Sequence, residues 1–185
     1  SPSRGLGDVY KRQVLARPPL MGSGSPASWL VIWRFGGRLL VAGGAYGVEG
    51  AVHRGALAAD GDTIAVLAGD VDRLYPRGHH DLLNQLADVG ALVSELPPGA
   101  VPTRHRFLAR NRLLAALSGT TVIVEAAAQS GALGVAREAH RLGRDVAAVP
   151  GPVTSVSSIG TYELLRAGTA RLVACLLYTS DAADE

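Results

Sequence analysis

What most constrains this chain is an alternation. From Arg38 onward, short and nearly continuous apolar runs take turns with stretches of helical period. The runs are Leu39–Ala42, Thr63–Ala68, Ala91–Val93, Thr121–Val124 and Val146–Val149, with a weaker one at Arg171–Ala174. Runs so short and so apolar suit strands buried on both faces, as in parallel sheets. Between them, Val48–Ala59, His80–Val89, Arg110–Leu117, Ala132–Leu142 and Ser158–Arg166 carry apolar residues at helical spacing. Glycine or Asp-Gly punctuates most junctions: Asp60-Gly61, Gly90, Gly119, Gly143 and Gly168. This order predicts an α/β fold with a doubly wound, mostly parallel sheet.

Composition narrows the class further. The 185 residues suffice for one domain with a real core, and 48% hydrophobic residues argue against disorder. No apolar run reaches the length of a membrane span. The start shows no basic-then-apolar leader pattern, so the reading expects a cytoplasmic protein with no membrane partner. The lone Cys175 supplies neither a disulfide framework nor a metal cluster, and the five histidines lack ligand spacing. Lys11 is the only lysine. A phosphate-binding P-loop needs a lysine after its glycines, so a Walker-type ATPase is excluded. The net charge of +2 gives no global basic field. No constellation of nucleophile and base emerges, so neither an enzyme, a cofactor nor a metal is expected.

In doubly wound sheets ligands bind at the carboxyl ends of strands. After the first run comes Gly43-Gly44-Ala45-Tyr46-Gly47-Val48-Glu49. Glycines entering a helix let backbone donors approach an anion, and a tight strand-to-helix turn needs the same residues. After Val93 comes a proline-rich stretch and then Arg104-His105-Arg106-Phe107-Leu108-Ala109-Arg110-Asn111-Arg112. Arginine forks bind phosphate, and an aromatic among them offers a face on which a base can stack. A solvated basic helix start with Phe107 tucked into the core would have the same composition. After Val124, Ser130 and Gly131 can cap a helix or offer it to an anion.

Taken together these loops resemble the DprA/Smf family of DNA-processing proteins. The matching stretches are GGAYGVEGAVHRGAL (43–57), TIAVLAGDVDRLYPRGHHDL (63–82), SELPPGAVPTRHRFLARNRLLAALS (94–118), VIVEAAAQSGAL (122–133) and GRDVAAVPGPVTSVSSIGTYELLRAG (143–168). The resemblance implies an extended Rossmann-like fold that binds single-stranded DNA with little sequence choice. It implies loading of the recombinase RecA onto strands taken up in natural transformation, a homodimer, and no catalysis. By position it assigns Arg106, Phe107, Arg110, Asn111 and Arg112 to the DNA groove, with Gly43, Gly44, Ser130 and Gly131 beside it. Arg110 and Arg112 would contact phosphate and Phe107 would stack. The chain departs from the family at Glu49, where an aspartate is usual, and at Gln129, where an arginine is usual.

The ends read differently. Residues 1–13, SPSRGLGDVYKRQ, and 176–185, LLYTSDAADE, resemble translated sequencing-adapter scars. Residues 14–36 lack any clean period, and the family's Gly-Ser-Arg loop is missing there. Back-translated and read from the third codon base, this stretch allows family-like sequence, so a reading-frame slip is expected, leaving 37–175 as the domain. The nucleotide sequence decides this. Without its first βα unit the fold would expose a strand edge and apolar face, predicting aggregation.

The competing reading is a nucleotide-binding hydrolase of the lysine-decarboxylase-like (LOG) type, which Gly43–Glu49 loosely echoes. A third reading is a purely structural or partner-binding α/β domain, which predicts affinity for neither ligand. The Pro97 to Arg112 stretch discriminates against the hydrolase, since it serves DNA and has no role in that reading.

Overall fold

The computed structural model describes residues 39–173. Six short strands alternate with five helices: β1 (Leu40–Gly43), α1 (Val48–Ala58), β2 (Thr63–Val66), α2 (His80–Val89), β3 (Ala91–Val93), α3 (Arg104–Leu117), β4 (Thr120–Ile123), α4 (Gly131–Arg141), β5 (Asp145–Ala148), α5 (Ile159–Arg166) and β6 (Arg171–Leu172). A helix crosses between each pair of successive strands, and every strand pairing is parallel. The α/β, Rossmann-like architecture read from the sequence is therefore the one observed. Gly143 and Gly168, at φ +67° and +65°, end α4 and α5 in the left-handed conformation that glycine adopts freely.

The strands form two three-stranded sheets, ordered β1-β2-β3 and β4-β5-β6. Alternation along the strands shows how the two relate. Val41 and Ile123 join one core, with Leu114 and Ala115 of α3 and Leu133, Ala136 and Ala139 of α4. Their neighbours Leu40, Ala42 and Val122 join a second core with Val52 and Ala56 of α1. A third core packs Leu83 and Leu86 of α2 on Ala65. Each face of β1 thus shares a core with the matching face of β4. The sheets are two halves of one layer, split between β1 and β4, with no strand hydrogen-bonded to both among the described residues.

The exposed strand edge and apolar face expected from a missing first βα unit concern residues before Leu39, outside the described ones. Beside the split, Leu40, Val41 and Ala42 are exposed by only 4, 2 and 0%, and Val122 and Ile123 by 3 and 1%. The stretches read as adapter scars (1–13 and 176–185) and as an out-of-frame segment (14–36) lie outside the described residues.

One boundary differs in a way that matters. Helix α3 begins at Arg104, not at Arg110. Thr103, in extended conformation, accepts a hydrogen bond from the Arg106 amide and caps the helix just after Pro102. Arg106 and Phe107 therefore sit on a helix rather than in a loop. That early start decides which of the arginines face inward.

Candidate nucleic-acid interface

The chain order runs outward from β1 to β3, returns to β4, and runs outward again to β6. Loops at the carboxyl ends of β1 and β4 meet at this reversal, where doubly wound sheets bind ligands. A cavity of about 240 Å³ lies there, between Ala45, Val48 and Glu49 on one side and Val122–Glu125 on the other. Phe107 closes it from α3 and also lines a wider groove outside.

The loop after β1 is filled from within. The Ala45 amide donates to Glu49 Oε2 at 2.7 Å, so the anion held by this glycine turn is a carboxylate of the chain itself. Glu49 Oε1 pairs with Arg110 Nη2 at 3.3 Å, and Arg110 Nη1 donates to the Val66 carbonyl at 2.7 Å. A Cβ on Gly43 would sit 1.8 Å from Arg110 Nη1 and 2.5 Å from the Glu49 carboxylate, so only glycine leaves room for the pair. His53, fully buried, bridges Thr63 Oγ1 at 2.8 Å and the Gly43 carbonyl at 3.0 Å. A carbonyl only accepts, so Nε2 carries the proton and Nδ1 accepts from Thr63. Burial, the largest cause, holds His53 below its ordinary pKa of 6.5. His79 Nδ1 donates to the Gly44 carbonyl at 3.1 Å.

Several residues expected at the DNA groove therefore turn inward. Gly43 and Gly44 are buried, and the backbone of this loop is bonded to the chain's own side chains. Arg110 is 7% exposed and bound to Glu49 and Val66 instead of facing solvent as a phosphate contact. Asn111, 6% exposed, donates from Nδ2 to the Gly131 carbonyl at 3.1 Å and ties α3 to the start of α4. Helix geometry explains this: once α3 starts at Arg104, positions 107, 110, 111 and 114 form its inner face. Glu49 is tied to Ala45 and Arg110.

Other expected residues frame the outer surface. Arg106 donates from its guanidinium to the Val101 carbonyl and braces the loop before α3. That loop is further pinned by the buried Asp70, which accepts from the Arg73 amide at 2.8 Å and from the Gly99 amide. Arg112 is exposed but pairs with Glu95 and does not line the groove. Phe107 is half-buried, with the Arg110 guanidinium 5.7 Å from its ring centre and the Tyr75 ring edge-on at 6.2 Å. Ser130 caps α4, its Oγ accepting from the Ala132 amide at 3.3 Å. Gly131 is exposed, and a Cβ there would meet nothing within 4 Å.

Phe107, Tyr75, Ser130 and Gly131 border an open groove of about 860 Å³ between the starts of α3 and α4. Arg104 and Arg137 also line it, both exposed and without an ion-pair partner among the described residues. The sequence reading did not select Arg104, Arg137 or Tyr75. Arg137 follows Ser130 by seven positions, two helical turns along the same face, so a signal was present. Tyr75 arrives from the loop after β2, and no local pattern announces it.

Residues 34–181 match the family described as DNA recombination-mediator protein A. A putative DNA processing protein DprA of Mycobacterium tuberculosis is 57% identical over 129 residues, covering 70% of this chain and 33% of that protein. The DNA processing protein DprA of Bacillus subtilis is 36% identical over 132 residues, covering 71% and 44% respectively. DprA from Streptococcus pneumoniae superposes with a TM-score of 0.74 at 31% identity, over 89% of this chain and 58% of that one. DprA from Helicobacter pylori, described for a unique single-stranded DNA binding mode, gives a TM-score of 0.79 at 26% identity, over 95% of this chain and 80% of that one. The chain spans less than half the length of these curated relatives. With the family match covering most of its residues, the chain belongs to the DNA recombination-mediator protein A family, the DprA/Smf proteins.

Proposed function

We propose that this chain carries a single-stranded DNA binding surface, and that the groove between α3 and α4 is that surface. One observation carries the reading: two unpaired arginines, an aromatic pair and an open helix N-terminus line the same groove. Each part has its own task. Arg104 and Arg137 meet phosphates, the first-turn amides of α4 meet another phosphate oxygen, and Phe107 takes a base on its face. Phosphate contacts and stacking on an aromatic face are both indifferent to base identity. The binding is therefore broad in sequence and sensitive to salt.

The wider role follows family membership. The chain would act in DNA processing during natural transformation, in the cytoplasm, handing bound strands to the recombinase RecA, and would do so without catalysis or cofactor. A homodimer fits this role. Val153, Val156, Ile159 and Tyr162, exposed by 85, 70, 42 and 37%, offer apolar surface for a second copy. No helix among the described residues is long and apolar enough to cross a membrane.

The test is a titration of labelled oligothymidine with this chain, with unlabelled oligocytidine and a duplex as competitors. The expected result is saturable binding that weakens with salt, is competed by both single strands, and is poorly competed by duplex. Absence of binding, or duplex competing best, would overturn the reading.

A further inference from the structure

The Glu49–Arg110 pair has no part in the phosphate contacts just described, and it is an expensive thing to bury. Arg110 and Glu49 side chains are exposed by 7 and 17%, and Arg110 Nε is buried with no hydrogen-bond partner. A pair of this kind is commonly matched or bettered in stability by apolar residues of similar volume. Its neighbours suggest what it does. The Arg110 guanidinium stands over Phe107, within cation–π range at 5.7 Å from the ring centre. Tyr75 meets the same ring edge-on, at an interplanar angle of 66°. Phe107 lines all three spaces around it: the cavity at the reversal, the outer groove, and a small pocket beneath Tyr75. The orientation of this one ring shapes the whole site.

We infer that Glu49 is a positioning residue for base stacking: by holding the Arg110 guanidinium against one face of Phe107, it sets the ring that receives a base. This rests on the single-stranded DNA reading above. The chain of contacts is continuous. The Ala45 amide fixes one carboxylate oxygen of Glu49 at 2.7 Å, the other oxygen holds Arg110 Nη2 at 3.3 Å, and the Val66 carbonyl holds Nη1 at 2.7 Å. Two of the guanidinium nitrogens are thus fixed to the body of the fold, and the arginine plane is not free to follow a phosphate. Neutralising Glu49 removes the nearer counter-charge. An uncompensated guanidinium then turns toward solvent, and the ring loses its support. Phosphate contacts by Arg104 and Arg137 do not depend on this and remain.

The experiment separates bases from backbone. Affinity of the chain is measured for oligothymidine and for an abasic deoxyribose-phosphate oligomer of equal length. Stacking on Phe107 gives the unsubstituted chain roughly a 5- to 150-fold preference for the oligomer with bases. Glu49→Gln is expected to lose most of that preference through the base-containing oligomer alone, and Glu49→Asp to retain it. The double variant Glu49→Gln/Arg110→Met removes both buried charges, so it folds, yet it still lacks the preference. A second readout needs no DNA. The chain has two phenylalanines, Phe35 and Phe107, so 4-fluorophenylalanine labelling gives two fluorine resonances, assigned through Phe107→Leu. Glu49→Gln is expected to shift the Phe107 resonance. Equal weakening of both oligomers, a preference surviving Glu49→Gln, a preference restored in the double variant, or an unmoved resonance would each overturn the inference. Failure of the unsubstituted chain to bind either oligomer would overturn the DNA reading and this inference with it.

Discussion

The loops after β1 and β4 have the same plan and opposite fates. Each leads from a parallel strand through small residues into a helix of 11 residues. The first is closed on itself: Glu49 takes the Ala45 amide, His53 takes the Gly43 carbonyl and His79 takes the Gly44 carbonyl. The second is capped by Ser130 and opens at Gly131 onto a groove with two unpaired arginines. The difference shows that a glycine-rich strand-to-helix turn specifies an anion site without specifying whose anion fills it. In the first loop the chain supplies its own carboxylate. On the proposed reading, the second leaves the place to a phosphate.

Substitutions should break the two loops unequally. The largest effect is expected at the closed loop. Gly43→Ala places a Cβ 1.8 Å from Arg110 Nη1 and must break the ion pair. Leaving buried charge uncompensated costs about 3–5 kcal/mol, measurable by urea denaturation. A loss under 1 kcal/mol would mean the loop is not closed as described.

His53→Leu comes next, at roughly 1–3 kcal/mol, because it orphans the Gly43 carbonyl and the Thr63 hydroxyl. The pH dependence has a definite sign. Burial lowers His53 below 6.5, so between the folded value and 6.5 the unfolded chain binds the proton and the folded chain does not. The stability due to the neutral ring is complete above pH 6.5 and declines as pH falls below it. Thermal midpoints from pH 7.5 to 5 should show this decline, reduced in His53→Leu. An equal decline in the variant would remove His53 as its source.

At the open loop the expected losses are smaller. Ser130→Ala loses a helix cap, about 1 kcal/mol. Gly131→Ala meets open space and should change stability by less than about 0.5 kcal/mol, while hindering a phosphate's approach to the first turn of α4. A stability loss at Gly131 as large as that at Gly43 would erase the contrast.

How much of this was legible in the sequence follows from the range of each signal. The alternation of apolar runs and helical stretches is local, and it led directly to the parallel α/β fold. The Ser130 cap is equally local. The start of α3 was hidden because Pro97, Pro98 and Pro102 mask a helix that Thr103 then caps. With the start misplaced by six residues, the inner face of α3 could not be separated from its outer face. The resemblance assigned Arg110 and Asn111 to the groove by position, and the structure turns both to the inner face, where they bond Glu49, Val66 and Gly131. Starting the helix at Arg104 puts Phe107, Arg110, Asn111 and Leu114 at helical spacing, with His105, Ala109 and Arg112 exposed on the far side. Tyr75 and the Glu49–Arg110 pair depend on contacts between distant segments, which no window of sequence contains.

The central claim is that the groove arginines meet phosphate and the buried arginine does not. The salt dependence of oligothymidine affinity tests it most directly, because each neutralised phosphate of a single strand contributes about 0.7 to the slope of log affinity against log salt. Arg104→Ala/Arg137→Ala should flatten that slope by about 1.4, while Glu49→Gln/Arg110→Met should weaken binding and leave the slope of the unsubstituted chain. A slope that flattens in the Glu49–Arg110 variant and not in the Arg104–Arg137 variant would contradict the account.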